Sequence, residues 1–409
     1  MRNLFASVFT VAVGLNPLVA FGQEAAPAPS ETVAQPAPTT PAAAAPAAPA
    51  AAPAATPPIA FTWEALVDAY YMYNFTGNPS TQGPGGPRQF DVVSNSFSLN
   101  YAKLGVGVDT EYVAFRMDLG AGHMAAIMNG GSALASASDK KAAAGSPATA
   151  AGALGDMQYG SAFVVQQAFA TVKATPWLSL DAGRFVTTAS AEVIEANKNW
   201  LYSRSMLFYG VPLLHTGLRL NITASPSLKL QASLVNGWNN DPDNNVGKTF
   251  GASATFAPPE SGLSATLTTY IGKEAAGSGG DTTILLDGVV TKDIGKASVG
   301  LNLDYLKVGT PYWFGAAAMG KYALTDLFTA AARFELVSSK KGAFTGAFLA
   351  TPDDVLLYEG TVMGGFTVAK HFELRLELRA DFANKDVFSK GDEARKNQFT
   401  GLAAFLAYF

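Results

Sequence analysis

Imidazole and thiol chemistry is scarce in this chain of 409 residues, which has three histidines, His123, His215 and His371, and no cysteine. Without cysteine there is no disulfide, no thiolate metal site and no thiol nucleophile. No serine stands two residues from His215, so a hydrolytic pairing of imidazole and hydroxyl has no local signature. Val246-Gly247-Lys248-Thr249 ends like a phosphate-cradling loop, but the first glycine of that motif falls at Pro242, which has no N–H to offer. Asp241, Asp243 and Asn245 are spaced two apart in a loop, as oxygen ligands of calcium are. Val246 and Ala252 occupy the sixth and twelfth places and break the EF-hand pattern, so a solvated turn is the plainer reading. The expectation is therefore no enzyme, no cofactor and at most a partial calcium site.

What chemistry remains is carried by charge set on alternate residues. Glu373, Arg375, Glu377, Arg379 and Asp381 share one face of a period-two stretch whose other face is Phe372, Leu374, Leu376, Leu378, Ala380 and Phe382. That period is a β-strand with one polar side. Val299, Leu301, Leu303 and Tyr305 oppose Asn302 and Asp304 in the same way. Leu214 to Ile222 alternates against His215, Arg219 and Asn221, and Phe328 to Leu336 against Arg333 and Glu335.

Composition explains what such strands are for. Only 15% of residues are charged and 48% are hydrophobic, against about 25% charged in a typical soluble domain. No apolar run is long enough for a membrane helix, so the apolar surface must be assembled from short alternating pieces. The 28 basic and 32 acidic residues leave a net charge of −4 and no sign of nucleic-acid binding.

The ends of the chain read differently. Arg2, an apolar run over Leu4–Ala20 and the small residues Ala20 and Gly22 make residues 1–22 a secretory signal peptide. Residues 23–60 hold 17 Ala and 10 Pro in 38 positions, an extended, disordered spacer suited to lying near a cell wall.

From residue 61 to 409 the alternation is continuous. Short breaks at 108–111, 174–176, 225–227, 257–262, 293–296, 323–326 and 369–371 alternate with breaks at 76–93, 125–160, 187–211, 239–247, 273–281, 308–311, 338–354 and 384–397. Fifteen connections imply 16 antiparallel strands, within two. Short turns at one rim and longer loops at the other mark an all-β transmembrane barrel of the outer membrane, with both termini on the periplasmic side. Trp177, Tyr322, Phe328, Phe372 and Phe409 lie beside short turns, and Trp238, Tyr270, Tyr312 and Phe382 toward long loops, as two interfacial belts would require. The last strand alternates Phe399, Ala403, Phe405, Ala407 and Phe409, and its terminal Phe409 resembles the signal read by the barrel-assembly machinery.

Several segments resemble the OmpL-like family of β-barrel porins. They are Ser96-Phe97-Ser98-Leu99-Asn100, Val164–Phe169, Leu180–Phe185, Glu192-Val193-Ile194-Glu195, Asn199–Ser205, His215–Arg219 and Val235–Asn240, in order across the first half of the barrel region. The second half resembles the family through alternation and Phe409 only. The resemblance implies an outer-membrane diffusion pore and transfers no catalytic motif.

A barrel of this size is too wide for side chains to fill. The third long loop, 187–211, is the candidate constriction, with Glu192 and Glu195 on one side of a short helical turn and Lys198 and Arg204 nearby. Arg116, Arg219 and Lys229, joined by Arg184, are expected to form a basic wall facing those glutamates and to set up a transverse field. Arg333, Glu335, Glu373, Arg375, Glu377, Arg379 and Asp381 would line the opposite side, as ion pairs between strands or as a transport surface. The expected function is passive diffusion of small hydrophilic solutes with weak ion selectivity. A structural barrel tied to the cell wall through 23–60, or an adhesion barrel using loop 125–160, is the alternative. Trimerisation is common among such pores, and nothing in the sequence decides a homotrimer.

Overall fold

The computed structural model describes residues 59–78, 80–83, 86–130, 163–277, 280–344, 354–390 and 393–409. The signal peptide, nearly all of the Ala/Pro spacer and most of loop 125–160 lie outside the described residues.

Sixteen strands close into one antiparallel barrel. They are β1 (Ala60–Asn74), β2 (Ser96–Asp109), β3 (Val113–Ala121), β4 (Phe163–Thr175), β5 (Leu178–Val186), β6 (Leu214–Ser225), β7 (Leu228–Val235) and β8 (Thr249–Phe256). The second half runs β9 (Leu263–Lys273), β10 (Thr282–Ile294), β11 (Ala297–Val308), β12 (Tyr312–Ala323), β13 (Phe328–Lys340), β14 (Val355–Ala369), β15 (Phe372–Ala383) and β16 (Asn397–Tyr408). Each strand pairs with its sequence neighbours, and β16 returns to β1 from Leu66↔Tyr408 to Asn74↔Thr400. Closure leaves no unpaired edge, the condition for placing strands in a medium without water. Among the described residues no helix is long and apolar enough to cross a membrane.

All seven breaks of the first set fall at one rim, and Ala60 and Phe409 lie at that same rim. Phe409 exchanges both backbone hydrogen bonds with Ala65 and stacks on His371, its ring 4.8 Å away. The terminal residue thus seals the seam.

Outward positions are mostly apolar, and many are exposed, among them Leu99, Leu234, Leu267, Leu303, Phe334, Val362 and Leu378. Trp63, Trp177, Tyr322 and Phe409 ring the short-turn rim, and Tyr73, Phe97, Tyr312 and Phe382 the other. Tyr270 departs from the expected belt: it points inward, is buried, and stacks on His215 at 4.4 Å between ring centroids. Trp238, expected in the same belt, packs partly buried against the interior.

Part of the interior at the long-loop end is packed with apolar side chains. Helix α1 (His123–Gly130), where a strand end was expected, buries Met124, Ile127 and Met128 against Phe90, Val92 and Leu214. Beside it, α2 (Met206–Tyr209) packs Met206 and Leu207 among Trp313, Leu306, Val337 and Phe388.

Leu303 stands half exposed at the middle of β11. Leu303→Arg is expected to cost roughly 2–4 kcal/mol, the penalty for a cation on the lipid face near the bilayer midplane. A urea-unfolding midpoint in lipid vesicles that does not move would argue against lipid on that face.

Candidate functional site

Strands β13, β14 and β15 place two charged rows side by side. Register sets Arg333 opposite Thr361 and Thr361 opposite Arg379, while the next inward row is Glu335, Glu359 and Asp381. Arg333 Nε lies 3.0 Å from Glu335 and 3.1 Å from Glu359, and Arg379 Nε 2.8 Å from Asp381. Every one of these carboxylates and guanidinium groups is almost wholly buried.

The backbone of segment 187–213 covers Arg333, Arg379 and Glu335, while Arg88 and Gln398 meet Asp381. Arg375 Nη1 donates to the carbonyls of Ala196 and Asn199 at 2.9 Å and of Leu201 at 3.3 Å. Glu377 accepts from the amides of Tyr202 and Ser203, and Glu335 from those of Met206 and Leu207 at the start of α2. Arg379 donates to Arg204 O at 2.6 Å, and Arg333 to Ser203 O at 2.8 Å. A polar loop inside a barrel has main-chain groups that no strand satisfies. Buried ions also need partners with correct geometry. Each requirement here meets the other.

The same segment reaches the other walls. Glu195 pairs with Lys103 on β2 and accepts from Gln166 on β4 at 3.0 Å. Tyr202 donates to Asp68 on β1 at 2.7 Å. Ala191 N donates to Asn302 on β11, and Thr268 on β9 to Thr188 O. His215 contacts Thr187 Oγ1 at 3.3 Å and Gly237 O at 3.0 Å, which assigns the ring to bracing the loop base.

The expected site is thereby rearranged. Glu192 and Glu195 do not share a side: Glu192 pairs with Arg333 on β13 at 2.8 Å and Glu195 with Lys103. The short helical turn is present, as a 3₁₀ turn over Ala196–Lys198. Arg204 points back into its own loop, donating to the carbonyls of Val193, Ile194 and Tyr202. Lys198 reaches Glu64 at 3.2 Å. Arg219 bonds Asp181 and lies 4.3 Å from the centre of the Phe185 ring, while Arg116 pairs with Asp118 at 2.6 Å and with Glu64. Lys229 faces inward near the short-turn rim and is exposed. Arg184 lies on the outward face, in phase with Leu180 and Ala182, and turns to Asp241 at 3.6 Å. Arg375 holds Glu373 at 3.0 Å.

Carboxylates of Glu64, Asp118 and Glu195 come within 4.8 Å of one another. Lys103 Nζ pairs with all three, so the neutralising cation is the chain's own. The calcium candidate dissolves similarly, since Asp243 is taken by Lys248 and Asp241 by Arg184. The sequence reading missed Asp68, Lys103, Gln166 and Glu359. Each is a polar residue at an inward position of an alternating strand, a signal present once the strand's phase is known.

A closed sixteen-strand barrel, apolar outside and polar within, defines an integral outer-membrane barrel of the porin class. Residues 60–409 match the family described as "Putative beta-barrel porin-2, OmpL-like", and the chain belongs to that family. Among solved structures it resembles the outer membrane channel DcaP of Acinetobacter baumannii, with a TM-score of 0.56, 10% identity, and coverage of 86% of this chain and 97% of that one. The anion-selective porin from Comamonas acidovorans gives 0.53 at 11% identity, covering 86% and 100%. OmpT of Vibrio cholerae, in a trimer form, gives 0.54 at 10%, covering 86% and 99%. At these identities the likeness is one of fold. No curated protein matches the sequence.

Burial raises the Glu195 carboxyl, but Lys103 and Lys198 more than reverse this and hold it at about 2. A depressed carboxylate stabilises the fold fully above its unfolded value near 4.5 and loses that contribution as pH falls through the folded value. The Glu195 anchor is therefore expected to persist to about pH 4.5 and weaken towards pH 2, seen as amide exchange at 194–199 rising beyond the intrinsic rate. Flat protection across that window would show that Lys103 does not hold it. Separately, Arg375→Ala strips three carbonyls and Glu373 of their donor and is expected to loosen 196–203 by roughly 3 kcal/mol. Unchanged protease resistance of this segment would contradict that.

Proposed function

We propose that the barrel is a water-filled channel for passive diffusion of small hydrophilic solutes across the outer membrane, narrowed by segment 187–213. The observation that carries this reading is that segment's bonding to inward side chains of β1, β2, β9, β11, β13 and β15, strands distributed around the ring. A loop held in this way reduces the lumen to a passage beside it. The porin family and the channel relatives agree with transport rather than catalysis. Glu64, Arg116, Lys198 and Lys229 keep exposure toward the interior. Their opposed signs support weak ion selectivity.

Around this core stand the remaining assignments. Residues 1–22 direct export, Phe409 addresses the assembly machinery, both termini face the periplasm, and 23–60 serves as a linker. The trimer form of the Vibrio OmpT supports a homotrimer. A closed structural barrel is the second reading, favoured by the apolar packing at the long-loop end.

Planar-bilayer recording of the purified protein decides between them. Stable conductance steps with a small reversal potential in a salt gradient are expected, and Arg375→Ala with Glu377→Ala should raise the conductance by releasing the loop. A silent bilayer would leave the structural barrel standing.

A further inference from the structure

The inner wall is divided by what covers it. Charged side chains on β13–β15 are buried beneath segment 187–213. On β6–β9, by contrast, Asn221, Gln231, Ser233, Ser253, Thr255 and Thr266 face inward yet stay partly exposed. Their direction follows from the alternation with Leu234, Phe250, Phe256 and Leu267, which are exposed on the outer face. Across β7, β8 and β9 the inward positions carry no charge except Lys229 near the rim, and on β6 the inward Arg219 is buried and paired with Asp181, to which Asn221 also donates. The residues that are left join hands: Gln231 donates to Asn221 at 2.9 Å, Ser253 to Gln231 at 3.4 Å, and Thr255 and Thr266 meet at 3.0 Å. Ser253 is paired in register with Thr268, which bonds the loop at Thr188, so this wall stands at the level of the proposed constriction.

We propose that solutes pass the loop along this wall of β6–β9, and that it suits uncharged polyhydroxylated molecules, sugars and polyols. The proposal rests on the channel reading and specifies its substrate class. Hydroxyl and amide groups both donate and accept, so a sugar can exchange water for wall at little net cost. An ion on the same path sheds part of its hydration, and the only charges there are Lys229 near the rim and the Arg219–Asp181 pair, which is buried and neutralises itself.

The chain has no native cysteine, so single substitutions give unique labels. The full-length protein in liposomes is tested with a neutral hexose, its sugar acid and its amino sugar, by swelling rate. The hexose is expected to enter severalfold faster than either charged relative. Ser253→Cys or Thr255→Cys, labelled with a bulky water-soluble maleimide, should lose most hexose entry, whereas labelled Leu267→Cys on the outer face should not. If either variant fails to fold, the other and the wild-type solute series still test the idea. Equal or faster entry of a charged relative, or labelled variants that admit hexose normally, would overturn it. A protein that passes no solute and shows no conductance overturns the channel reading itself.

Discussion

The contact between the charged rows of β13–β15 and the main chain of 187–213 governs the interior of this barrel. Neither partner is stable alone. Guanidinium and carboxylate groups buried in a narrow lumen cost several kcal/mol each unless paired and hydrogen-bonded, and a loop away from water cannot leave its amides and carbonyls bare. Arginine suits the task because its planar fork presents several donors at once. Arg375 alone serves three carbonyls, and Glu335 and Glu377 return the favour to four amides.

From that contact the rest of the lumen follows. The loop lies on β13–β15, is tied at its far side through Glu195 and Tyr202, and touches β6 and β9 only through His215, Thr268 and Tyr270 at its base. α2, carried by the same loop, supplies Met206 and Leu207 to the apolar packing at the long-loop end. The charges of β13–β15 are thus spent on architecture, whereas Glu64, Arg116, Lys198 and Lys229 keep some exposure and the inward face of β7–β9 is mostly hydroxyls and amides.

How far the residues themselves revealed this differs by level. The sixteen strands, the seven short turns and the polar face of β15 were readable, because a period of two and turn chemistry are local properties. The side of the barrel on which Arg184 lies was not, since one residue of phase exchanges lumen for lipid. Tyr270 was misplaced for a related reason: an aromatic near a rim suits an interfacial belt, but His215 and Thr188 draw this one inward. The partners of Glu192 and Glu195 were also out of reach. They stand three residues apart yet answer to strands on different walls, Arg333 and Lys103.

By itself, then, the sequence determined an alternating barrel, short turns on one rim and a charged inner face. Those traits depend on each residue and its immediate neighbours. Only the tertiary structure decided that the charged face is a socket for the loop backbone. A carbonyl or amide carries no identity in the sequence, so an arginine whose partners are three main-chain oxygens looks the same there as one facing water.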